Sequence, residues 1–194
     1  MKTIALIIPM LFFFAISCKA QIIPVEQVVD HFGNVEDETT YIKDVNNILD
    51  NYVGTWVGIQ NGKSYTFIIT EKIIVYDEYY STLNDILIMK YLIVDTNTLD
   101  VIEDTTSMSD EDAPCEGIIF RSNSSGGLTY VFMYTGINED KVSCGQNGDV
   151  FITLKNNNTQ LYLKLSSYHE MYGPCLGGSA EQILPEEGIL LTRQ

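Results

Sequence analysis

From Tyr52 to the C-terminus, apolar and polar residues alternate in short segments rich in Val, Ile, Thr, Tyr and Phe, and each segment ends in turn residues. A period of two is that of a strand with one dry face. The pattern predicts strands over 53–60, 63–70, 72–77, 86–95, 99–104, 117–122, 128–136, 150–155, 160–165 and 188–192. Asn61-Gly62 divides the first two and is a strong hairpin signal, because both residues tolerate positive φ. Asn156-Asn157-Asn158 and Gly126-Gly127 supply turns further on. The faces separate well on the later strands: Val150, Ile152 and Leu154 stand against Thr153 and Lys155, then Leu161, Leu163 and Leu165 against Lys164 and Ser166.

Upstream the spacing changes. Val25, Val28, Val29 and Phe32 fall at i, i+3, i+4 and i+7 behind Pro24, and Tyr41, Val45, Ile48, Leu49 and Tyr52 repeat with helical spacing after an acidic loop at 36–40. The chain therefore reads as a helical lead-in over 21–51 and a β domain over 52–194. That domain is predicted to be a single antiparallel meander barrel of about 8–10 strands, with a β-sandwich as the alternative. No repeat of 20–50 residues is visible, which sets solenoids and propellers aside.

Residues 1–20 are of another kind. Lys2 precedes an apolar run from Ile4 to Ile16, interrupted by Pro9 and stopped by Cys18 and Lys19, which reads as a secretory signal. It is short of the ~20 apolar residues of a spanning helix. Ala15-Ile16-Ser17-Cys18 resembles a lipobox, which would make Cys18 the site of a thioether-linked lipid. Cys18-Lys19-Ala20 before Gln21 reads instead as an ordinary cleavage site. The first is favoured, so the expected location is the cell envelope, as a periplasm-facing or outer-membrane lipoprotein. A soluble secreted form is the alternative.

Charge narrows the partners. With 26 acidic and 11 basic residues the net charge is −15, and residues 1–20 carry two of the basic residues and no acid. Such a chain repels nucleic acid and anionic membrane surfaces, leaving a lipid at Cys18 as the only expected membrane attachment. Beyond Cys18 the cysteines are Cys115, Cys144 and Cys175, so one internal disulfide at most forms among them, and their wide spacing is unlike a zinc or redox site.

Candidate chemistry is thin. The acidic window 95–116 lacks the alternating pattern of a calcium loop and reads as solvated turns. His169 stands six residues before Cys175, a spacing that admits a thiol and its base but equally a disulfide-tied loop; His31 has no such neighbour. No Gly-x-Ser-x-Gly, His-Glu-x-x-His or phosphate-cradling glycine loop is present. No cofactor or metal is expected. Tyr76, Tyr79, Tyr80, Tyr130 and Tyr134 are candidates for an aromatic pocket, against the commoner role of strand packing.

Two resemblances add to this reading. Gly54-Thr55-Trp56 at the first strand is similar to the Gly-x-Trp entry of lipocalins, which implies a tryptophan closing one end of the barrel beneath a late arginine, a place that Arg193 fits. The combination of Ser17 to Gln21, Asp44 to Leu49, Val53 to Gly58 and Val101 to Thr105 resembles an uncharacterised, DUF6705-like family of exported Bacteroidetes-type proteins, which implies export and one domain but no activity. Asp104-Thr105-Thr106 also resembles the short O-glycosylation signal of such proteins. The resulting expectation is a non-enzymatic envelope module binding a small ligand or an envelope protein. The alternative is a hydrolase using carboxylates or a Cys175/His169 pair.

Overall fold

The computed structural model describes residues 21–31, 40–78, 81–122, 127–168, 175 and 178–194. Among them eleven strands form. β1 (Gln21–Pro24) and β2 (Thr40–Lys43) belong to the lead-in. They are followed by β3 (Gly54–Gln60), β4 (Lys63–Asp77), β5 (Thr82–Asp95), β6 (Val101–Asp104), β7 (Cys115–Ser122), β8 (Leu128–Thr135), β9 (Asn147–Lys155), β10 (Gln160–Ser167) and β11 (Ile189–Arg193). Asn61 and Gly62, at φ 50° and 74°, turn β3 into β4 with Gln60 opposite Lys63. Neighbours continue antiparallel through β4, β5, β7, β8, β9, β10 and β11, and β11 returns to β3, so eight strands make a closed meander barrel. β6 is an extra partner on the far end of β5.

Period-two alternation fills the barrel. Trp56, Phe67, Leu87, Met89, Tyr91, Phe132, Val150, Ile152, Leu161 and Leu163 are all buried in one cluster. A smaller cluster lies outside the wall, where Ile23 and Val28 of the lead-in cover Ile119 and Val131.

Three expectations are corrected. The segments 63–70 and 72–77 are one strand: the register shifts between Lys72 and Val75 as a bulge, not a turn. Residues 41–52 are not a helix. Thr40–Lys43 pairs in parallel with β1 and with β5, and only Leu49–Asn51 turns, as 3-10 helix. The cause is Asp44, whose carboxylate accepts from Ile48 N–H and Leu49 N–H at 2.8 Å each while its own N–H donates to Asp85 Oδ2 at 3.0 Å. An aspartate bonded in this way competes with helix propagation. Val25–His31 is likewise 3-10, entered from a strand. The one α-helix among the described residues is α1 (Glu139–Ser143), capped by the side chain of Asn138.

Both ends of the barrel are stoppered. At one, Trp56 Nε1–H donates to the Tyr52 carbonyl at 2.8 Å, the Arg193 guanidinium lies 4.4 Å above the indole, and Arg193 also donates to the Asn51 carbonyl. Gly54 begins this strand at φ 137°, a conformation open only to glycine, with Arg193 Nη1 beside it. At the other end residues 180–185 cross the mouth, placing Ile183 and Leu184 in the core. Ala180 N–H donates to the Cys144 carbonyl at 2.8 Å, Gln182 Nε2 to the Gly145 carbonyl at 2.7 Å and Leu165 N–H to the Pro185 carbonyl at 2.8 Å. The disulfide Cys144–Cys175 fastens the approach to this segment.

Candidate functional site: a cleft at an incomplete seam

One edge of β5 is shared by three strands: β2 pairs at Leu83 and Asn84, β7 at Ile88 and Met89, and β6 from Leu92 to Val94. Only two residue pairs therefore join β5 to β7. The ladder stops before Leu87, and the Leu87 N–H instead donates to the Tyr130 hydroxyl at 3.0 Å, reached from β8. That hydroxyl passes over Gly117. A Cβ there would collide with the phenol oxygen and come within 2.6 Å of the Leu87 carbonyl, so only glycine fits. Directly after it the β7 register shifts between Gly117 and Ile119, and Ile118 is turned outward, 49% exposed.

Across the seam β4 bulges as well. Ile74 holds φ 57°, a region that a β-branched residue rarely occupies, and its N–H donates to Asp85 Oδ1 at 3.1 Å. Asp85 also accepts from Tyr41 O–H at 2.7 Å and Asp44 N–H, so one buried carboxylate ties β4, β5 and the lead-in together. Burial and the Asp85 bond push the Tyr41 phenol up to about 12. Burial, followed by the charges of Asp44, Asp50 and Asp85, raises Glu71 nearby.

Between the two bulges lies a cleft of about 360 Å³. Val75, Tyr76, Ile86, Ile118 and Met133 give it apolar walls, and Asp77, Glu78 and Glu116 supply carboxylates. Its described lining holds no Lys, Arg or His. The neighbouring ammonium groups are engaged: Lys72 with Glu111 and Lys90 with Asp110, each at 2.8 Å.

The residues singled out by sequence fall in several places. Tyr130 and Tyr134 are in the core, Tyr130 edge-on to Phe120 at 4.8 Å and to Phe132 at 5.1 Å, and the void of about 10 Å³ that Tyr130 lines with Val25, Val28 and Ile42 of the lead-in is too small for a ligand. Burial raises the phenols of Tyr52, Tyr91, Tyr130 and Tyr134 and the thiol of Cys115, which leaves Cys115 protonated and enclosed. Tyr76 does reach the cleft; Tyr79, Tyr80, His169 and Cys18 lie outside the described residues. Cys175 is bonded to Cys144 and so offers no thiolate, which removes the Cys175/His169 nucleophile pair.

The acidic window forms turns around the short strand β6 and runs into β7. Asp95 is held below the usual carboxylate range by the amides of Thr98 and Asn97, Asp104 by the Thr106 hydroxyl and amide, and Glu111 by Lys72. Among the described residues no three metal-ligating side chains converge. The hydroxyl of Thr105 is buried between the amide and carbonyl of Tyr91, out of reach of a glycosyl donor.

The cleft itself was missed, although the sequence carries a trace of it. Gly117-Ile118-Ile119-Phe120 and Tyr130-Val131-Phe132-Met133-Tyr134 are apolar on both faces, which a strand with one wet side is not. The lead-in covers Ile119 and Val131, while Ile118 and Met133 are left to the cleft.

Compared with known proteins, residues 1–143 match the model of a family described as a family of unknown function (DUF6705). No curated protein and no solved structure matches the chain.

Proposed function

The chain belongs to the DUF6705 family of unknown function, and we propose that it is a non-enzymatic binding module of the bacterial envelope, a lipocalin-like barrel that engages its ligand or partner from outside. The packed interior carries this reading. Ligand barrels keep an open lumen, whereas here Tyr130 meets Phe120 and Phe132 edge to face, Tyr134 is buried in the same core, and both mouths are stoppered. The cleft beside β5 and β7 is a concave surface with apolar walls, and its size is within the range of small-ligand sites. The Trp56 and Arg193 pair supports the lipocalin likeness of the scaffold. Export is supported by Lys2, the run from Ile4 to Ile16 and Cys18, and the disulfide suits an oxidising compartment.

The test is intact mass of the full chain expressed with its signal in a Gram-negative host and recovered from membrane and soluble envelope fractions. A start at Cys18 with acyl mass gives an anchored lipoprotein, and a start at Gln21 gives a soluble secreted module. An uncleaved product confined to the cytosol removes the envelope assignment. On the recovered protein, an apolar fluorescent probe whose signal falls in Ile118→Asp supports binding at the cleft; a signal indifferent to that change sinks it.

A further inference from the structure

We propose that the seam cleft accepts an amphipathic cation, a protonated amine or guanidinium carried on an apolar body. The proposal rests on the binding-module reading and names its ligand class. The walls of Ile86, Ile118 and Met133 take an apolar body, and Asp77, Glu78 and Glu116 put negative charge within the same 360 Å³ or so. Glu78 and Glu116 are exposed, and Asp77 is steadied by the Asn84 amide. No described lining residue is basic, so Glu78 and Glu116 meet no cation within the cleft, and Lys72, which feels Glu116, is hydrogen-bonded to Glu111.

An anionic amphipath such as a fatty acid would bring a further carboxylate against Glu78 and Glu116, and a neutral one would leave those two acids uncompensated as water is displaced. A cation gains from each acid, and the net charge of −15 draws it toward the surface. The apolar walls distinguish the site from an inorganic cation site, because a hard ion seeks oxygen ligands on all sides.

The experiment is an amide and methyl NMR titration of the full mature chain with octylamine, octanol and octanoate, on wild type and on Glu78→Gln/Glu116→Gln. Exposed Glu→Gln changes leave the fold intact, and the reference spectrum checks this. The expected result is shifts at Ile118 and Met133 with octylamine binding about tenfold tighter than octanol, falling to the octanol level in the double variant while octanol itself is unchanged. Equal binding of all three probes at these residues overturns the cation assignment and keeps the binding module. Shifts that bypass Ile118 and Met133 for every probe overturn both.

Discussion

Two residue pairs join β11 to β3 and two join β5 to β7, but the first junction is completed by neighbouring residues of the same chain ends, whereas the second is completed by groups borrowed from elsewhere. The first closure pairs Thr192 with Val57 and Arg193 with Trp56, and Gln194 N–H reaches the Thr55 carbonyl at 3.0 Å. Leu191 packs onto Gly58, and Arg193 covers the indole. At the second, β5 has already lent part of its edge to β2 and β6, so two residue pairs, one phenol from β8 and the lead-in must finish the wall. The closure assembled from shared contacts is the one flanked by two bulges and a cleft.

The comparison can be tested by breaking each closure in turn. Trp56→Ala removes the fully buried indole at the first closure and is expected to lower unfolding free energy by about 4 kcal/mol in urea titration. Gly117→Ala at the shared closure forces a Cβ into the Tyr130 hydroxyl and the Leu87 carbonyl and is expected to cost about 2–3 kcal/mol by the same measurement. A loss under about 0.5 kcal/mol there would mean that the seam adapts freely.

Tyr130→Phe strands the buried Leu87 N–H and is expected to cost about 1–2 kcal/mol, with faster exchange of that one amide. A smaller effect is set by alkali. Tyr41 titrates near 12 in the folded chain and near 10 when unfolded, so between those values the folded state holds the extra proton and stability falls as pH rises. Tyr41→Phe is expected to flatten that fall between pH 10 and 12, which urea midpoints across the interval would report. The smallest effect has the opposite sign. Ile74→Asn relieves a left-handed β-branched residue that is 58% exposed, and a gain of about 0.5–1 kcal/mol is expected; a loss would mean that local packing offsets the strain.

Local rules were legible in the sequence where local contacts decide the structure. The Asn61-Gly62 hairpin, the triple-asparagine turn with all three residues at positive φ, and the alternation on β9 and β10 follow from neighbours in the chain. The meander barrel follows from them in turn. The seam was not legible, because its contacts span long separations: Asp85 with Tyr41 and Asp44, and Leu87 with Tyr130. Helical spacing in 41–52 misled for the same reason, since a distant strand and an aspartate-held turn compete with a helix that has no partner of its own. The bulge at Ile73 and Ile74 has no glycine, proline or asparagine to announce it. Cysteine counting allowed one bridge, and the position of the 180–185 stopper beside Cys144 selects which.

Gly117 and Tyr130 also bear on how this chain can drift over generations. The space that a side chain at one position would need is the space that the hydroxyl at the other already fills. Loss of the hydroxyl at 130 alone does not admit alanine at 117, because the Leu87 carbonyl and the edge of the ring still stand within 3 Å of the added carbon, so descent can vary position 130 while glycine at 117 stays fixed.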